Sequence, residues 1–173
     1  MGKKNKKRKY IIGMDIGGTK MLTGLLDKNF KLHATQKMKV EPQKGIKHFV
    51  KSIEDSIHDV LGESGVKISE VAYIGIGCPG MIDFKSGTGY LSPNIAFLKN
   101  FPLADKLRKS FHVPVLVEND VNAGLYGEHQ FGAAKGYDHV VGIFLGTGIG
   151  GGIILDGNLY RGDRKSTRLN SSH

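Results

Sequence analysis

Two stretches near opposite ends of the chain repeat one pattern, and that repetition limits the folds open to it. Residues 11–26 and 141–156 each read as an apolar run, a Gly/Thr turn and a second apolar run. The turns are Gly17-Gly18-Thr19 and Gly146-Thr147-Gly148. Neither passes into helical spacing, because Met21 to Leu26 and Ile153 to Leu155 go on as strand. Each is therefore expected to be a β-hairpin. Between them the period changes. Ile46, Phe49, Val50, Ile53, Ile57, Val60 and Leu61 fall on one face of a helix over 45–61, which Gly62 and Gly65 should end.

Further strands are expected over 10–14, 30–39, 71–76 and 113–117, with Pro114 tolerated near a strand start. Helices are expected over 103–111 and 119–131, and the second hairpin pairs 140–145 with 149–155. Strands alternating with helices make an α/β layered architecture. Glycine supplies 25 of the 173 residues and is concentrated in 75–89 and 142–157, which marks close backbone approach or unusual backbone angles.

The net charge of +9 invites a nucleic-acid reading, but its location opposes one. Most of it lies in Lys3, Lys4, Lys6, Lys7, Arg8 and Lys9, and much of the rest in residues 163–173. The body between is almost neutral, so no basic face for nucleic acid is expected. Residues 1–9 read as a solvated, disordered basic tail. No apolar run approaches a membrane span. Cys78 is the only cysteine, which fits a reducing cytoplasm and excludes a disulfide framework.

Four segments could carry chemistry. Asp15-Ile16-Gly17-Gly18-Thr19-Lys20 offers a carboxylate, close main-chain amides and a hydroxyl, a set that suits polyphosphate with Mg2+. An ordinary tight hairpin with an exposed Asp explains it equally well. It is not a P-loop, since Thr precedes Lys and a strand follows. Gly146, Gly148 and Gly151 satisfy G-x-G-x-x-G, but no helix follows, so a dinucleotide fold is rejected. Glu118-Asn119-Asp120 lies where a strand yields to a helix. Asp120 could take a proton from an attacking hydroxyl, or could simply cap the helix. Asn94, in Ser92-Pro93-Asn94, could hold a sugar hydroxyl or serve a turn.

Together these segments, in this order and spacing, resemble the ROK family of sugar kinases and sugar-responsive regulators. The resemblance runs from about Tyr10 to Gly162. It implies a ribonuclease-H-like lobe of the actin/hexokinase/Hsp70-like fold over 10–134, and the start of a second, incomplete lobe over 135–162. It implies ATP-dependent phosphorylation of a hexose, glucose at its 6-hydroxyl foremost, with N-acetylhexosamine or fructose as competitors. Asp120 would be the general base and Asp15 would bind Mg2+. Gly17, Gly18, Thr19, Lys20, Gly146, Thr147 and Gly148 would line the ATP phosphates. Pro79, Gly80, Asn94, Asn119 and Glu128 would shape or hold the sugar site. The complete parent could be a homodimer. The regulator branch carries a DNA-binding domain before the first turn, for which the nine residues ahead of Tyr10 are too few.

The family pattern stops after Tyr160-Arg161-Gly162, ahead of its Glu-x-Gly-His motif and cysteine cluster. Cys78 alone cannot make the family's zinc site, so no zinc is expected. Residues 163–173 read as the translation of a sequencing-library adapter and are expected to be non-native. Without the remaining lobe the chain itself should have little or no turnover, and the second hairpin should expose an apolar face.

Overall fold

A computed structural model of the chain describes residues 8–92, 95–146 and 148–161. Strands β1 (Tyr10–Ile16), β2 (Lys20–Asp27) and β3 (Leu32–Lys39) form an antiparallel meander. Helix α1 (Gly45–Ser64) follows, then β4 (Val71–Cys78), parallel to β1. A small hairpin, β5 (Met81–Asp83) with β6 (Thr88–Leu91), precedes α2 (Leu103–Phe111). Strand β7 (Val115–Asn119) runs parallel to β4 and leads directly into α3 (Asp120–Phe131). The five-stranded sheet has the order β3-β2-β1-β4-β7. A second sheet, β10-β9-β8, contains β8 (Val140–Leu145), β9 (Ile149–Leu155) and β10 (Asn158–Tyr160).

The large sheet buries one face under α1 and α2. Ile12, Met14 and Ile16 of β1 meet Met21 and Leu25 of β2 and Ile74 and Ile76 of β4 there. From α1, Phe49, Val50, Ile53, Ile57, Val60 and Leu61 are buried, at the spacing read from the sequence. Each such side chain contributes about 1.5–3 kcal/mol of transfer free energy. Thr23 and Ser56 satisfy one another across this interface, with hydroxyl oxygens 2.7 Å apart. The helix passes through Gly62 and stops at Gly65, whose φ of 68° is left-handed and whose amide caps the last carbonyls. The strand expected at 113 begins later, at Val115, after His112 closes α2 in a left-handed conformation.

Helix α3 lies against the other face of the large sheet and carries the second sheet on its far side. Glycines make this possible. A Cβ on Gly142 would sit 2.6 Å from Leu125 Cδ1, one on Gly152 2.9 Å from Leu125 Cδ2, and one on Gly150 would strike Val121. The glycine enrichment of this hairpin thus serves helix packing along β8 and β9. The outer face of the second sheet is bare. Val141, Ile143 and Leu145 of β8 are 72%, 69% and 80% exposed. Apolar strand surface of this kind drives self-association. Sedimentation velocity of this 173-residue chain is expected to show concentration-dependent oligomers that V141T/I143T reduces. Equal behaviour of the two forms would dissociate the bare face from self-association.

Candidate active site

Three parallel strands end side by side and bring the candidate residues together. Asp15 pairs in register with Gly77 of β4, and Gly77 with Glu118 of β7. Asp15 is the last residue but one of β1; it is exposed, on the side opposite the buried Met14 and Ile16, and its carboxylate has no hydrogen-bond partner among the described residues. Gly77 separates the two acids: a Cβ there would lie 3.6 Å from Asp120 Cα and 3.7 Å from the Met14 carbonyl oxygen.

The capping alternative for Asp120 resolves in favour of its neighbour. Asn119 is the N-cap of α3, and its side-chain oxygen accepts from the Asn122 amide at 3.1 Å. Asp120 is the first helical residue. Its Oδ1 accepts from the Val121 amide at 2.9 Å and from Asn119 Nδ2 at 3.0 Å. Burial holds the Asp120 carboxyl above the ordinary carboxylate range, opposed by the Val121 amide and reinforced by the negative charge of Asp15. The buried Cys78 thiol is pushed up to about 12, first by burial and then by Asp120 and Asp15. It stays a neutral thiol beside two acids. Asp15 and Asp120 therefore share one electrostatic environment, at the carboxyl ends of the parallel strands, where open α/β sheets place ligands.

The loop after β4 completes one wall. Pro79 is buried, and Gly80 has φ of 108°. The Gly80 carbonyl accepts from Asn119 Nδ2 at 3.0 Å, tying this loop to the cap of α3. Gly80, Met81, Ile82, Glu118, Asn119, Asn122 and Arg161 line a cavity beside it. The first turn closes through a 2.8 Å bond from the Gly17 amide to the Lys20 carbonyl. Gly17 is needed for that approach, because a Cβ would lie 3.1 Å from the same oxygen. Gly18 is half-buried, while Thr19 and Lys20 are exposed. In the second turn the Gly146 amide donates to the Gly148 carbonyl at 2.9 Å. Gly150 packs on Val121 and Gly152 on Leu125, so this turn lies at the N-terminal end of α3, the Asp120 end.

Asn94 and Thr147 lie outside the described residues. Glu128 is described, and the structure does not bring it to the others. It sits eight residues after Asp120 in α3, about 12 Å along the helix axis. Its Oε2 accepts from the Ala133 amide at 2.9 Å, so it caps the far end of that helix. Sequence reasoning gave no role to Glu118 or Arg161. Arg161 Nε donates to Glu118 Oε2 at 2.6 Å, and the guanidinium carbon lies 4.0 Å from the Phe84 ring centroid. The one sequence signal was a carboxylate closing the apolar run of β7.

The model of the ROK family matches residues 11–167. The glucokinase of Thermotoga maritima is 39% identical over 153 residues, covering 88% of this chain and 46% of the relative. A crystal structure of a ROK family glucokinase from Streptomyces griseus, in complex with glucose and AMPPNP, superposes with a TM-score of 0.79 at 39% identity. That match covers 88% of this chain and 46% of the kinase. The xylose repressor of Bacillus subtilis is 32% identical over 168 residues, 91% of this chain and 40% of the repressor. The chain thus spans about half the length of the curated relatives it matches. Its central sheet is that of the actin/hexokinase-like fold these kinases share. With a family match over most of its length, the chain belongs to the ROK family.

Proposed function

We propose that the full-length protein carrying this chain transfers the terminal phosphoryl group of ATP to a hexose, glucose at its 6-hydroxyl foremost. The observation that carries this reading is the shared environment of Asp15 and Asp120, two acids at the ends of β1 and β7, on either side of β4, with unequal surroundings. Half-buried and held by Asn119 and Val121, Asp120 is oriented to accept the hydroxyl proton as oxygen attacks. Asn119 and the Gly80 loop would orient the sugar. The Gly17–Thr19 and Gly146–Gly148 turns would offer amides to the phosphates from two sides.

An exposed carboxylate without a hydrogen-bond partner among the described residues suits a hydrated divalent cation, so Asp15 fits the Mg2+ that accompanies ATP. When bound, Mg2+ neutralises developing phosphate charge. Asp15→Ala in the full-length protein is expected to raise the Mg2+ and ATP concentrations needed for half-maximal turnover by about tenfold or more. Unchanged metal dependence would remove Asp15 from this role. A coupled ADP-release assay across glucose, N-acetylhexosamines and fructose tests the whole reading. Identity to the xylose repressor favours a second reading, a sugar-binding regulator. Sugar binding with no ADP release under any hexose would select that one.

A further inference from the structure

We propose that Glu118 and Arg161 form a positioning pair that holds the Asn119–Asp120 corner in its reactive geometry, an inference that rests on the kinase reading above. Glu118 is the last residue but one of β7, and its side chain is only 14% exposed. A carboxylate so placed is costly unless its lone pairs are met. They are met from two directions. Oε1 accepts from the Asn119 main-chain amide at 2.9 Å and from Asn122 Nδ2 at 3.3 Å. Oε2 accepts from Arg161 Nε at 2.6 Å.

Both asparagines so anchored act on Asp120. Asn122 donates its main-chain amide to the Asn119 side-chain oxygen, and Asn119 Nδ2 bridges the Gly80 carbonyl and Asp120 Oδ1. The chain of bonds therefore runs from Arg161 through Glu118 and the two asparagines to Asp120 and the Gly80 loop. Arg161 brings in a third element by lying over Phe84, in the turn of the β5–β6 hairpin. Arg161 follows β10, so it pins the second sheet to the first at the acid itself. A planar guanidinium can stack and donate from Nε at once, which an ammonium cannot.

The test uses the full-length protein. Glu118→Gln and Arg161→Gln are each expected to lower kcat about 10- to 100-fold, the scale of a misplaced reacting group, while the hexose KM rises less. The double variant should fall no further than the worse single one, because the two act as a unit. Arg161→Lys should recover part of the loss. A merely structural role would lower the folded fraction and leave the kcat and KM of the folded molecules unchanged. Turnover of Arg161→Gln within about twofold of the parent, or losses that multiply in the double variant, would overturn the pair. If Arg161→Gln does not fold, Phe84→Leu carries the test. It removes the ring under the guanidinium and should lower kcat several-fold, and parent-like turnover there would equally overturn the proposal. Asp120→Asn is the control. If it stays active, the kinase reading falls; if it is dead while the pair variants are normal, only this inference falls.

Discussion

Asp120→Asn in the full-length protein is expected to lower kcat by about 10²- to 10⁴-fold, the range a positioned general base supplies, with little change in hexose KM. Asparagine keeps an oxygen for the Val121 amide and the Asn119 side chain but cannot take up the proton. The pH dependence follows from the direction of the Asp120 shift. Burial and the charge of Asp15 raise its carboxyl, so the acid limb of kcat/KM should lie above the ordinary carboxylate value of 3.8. Stability should run the other way. A carboxyl raised on folding favours the folded state below its unfolded value, and that contribution is lost as pH rises through the folded one. At neutral pH the ionised Asp120 is then a burden. Asp120→Asn should melt higher than the parent near pH 7, and the difference should shrink toward pH 3.8. A variant both active and no more stable would contradict the base and the electrostatic account together.

Gly80→Ala should have the largest effect on folding. At φ of 108° an L-residue is strained, and the new methyl would sit 2.7 Å from Ser92 Cα and run into the Leu91 carbonyl. Those neighbours are backbone and cannot swing away. Strain at one such position is worth roughly 1–3 kcal/mol, and the steric overlap adds to it. The Gly80 carbonyl would lose its place under Asn119, so hexose KM should rise as well. Gly62→Ala is the matched contrast. That glycine lies within α1 with nothing near its would-be Cβ, and alanine should stabilise the helix by about 0.5–1 kcal/mol. Thermal melts of the two variants should move in opposite directions. Equal shifts would mean that the Gly80 turn is softer than its geometry implies.

Much of the fold was legible because burial imposes period. The apolar face of α1, the whole of α2 and both strands of the second hairpin follow from spacing alone. The β5–β6 hairpin and β10 escaped, since three- or four-residue strands carry too few alternations to register. Gly62 was read as a stop, yet a glycine interrupts a helix only where the chain must turn, and the turn comes at Gly65. The site was legible where local order sets it: the strand end, the cap and the acid are consecutive in Glu118-Asn119-Asp120. It was not legible where distant segments meet. Arg161 reaches Glu118 from another sheet, and no local pattern announces that. Glu128 shows the converse, since its place two turns along α3 turns it to the helix end.

The glycines under α3 set a limit on how the molecule can work. The helix rests on Gly77 from one side and on Gly142, Gly150 and Gly152 from the other, so that only its own Ala123, Val121 and Leu125 side chains stand between it and those strand backbones. Such a seat transmits displacement instead of absorbing it. A small slide of the second sheet would press on Val121 and Leu125 and carry the first turn of α3, with its acid, along. On the kinase reading proposed above, the second glycine turn and Asp120 would then move together, and any breathing of the cleft would have to be taken up elsewhere in the protein.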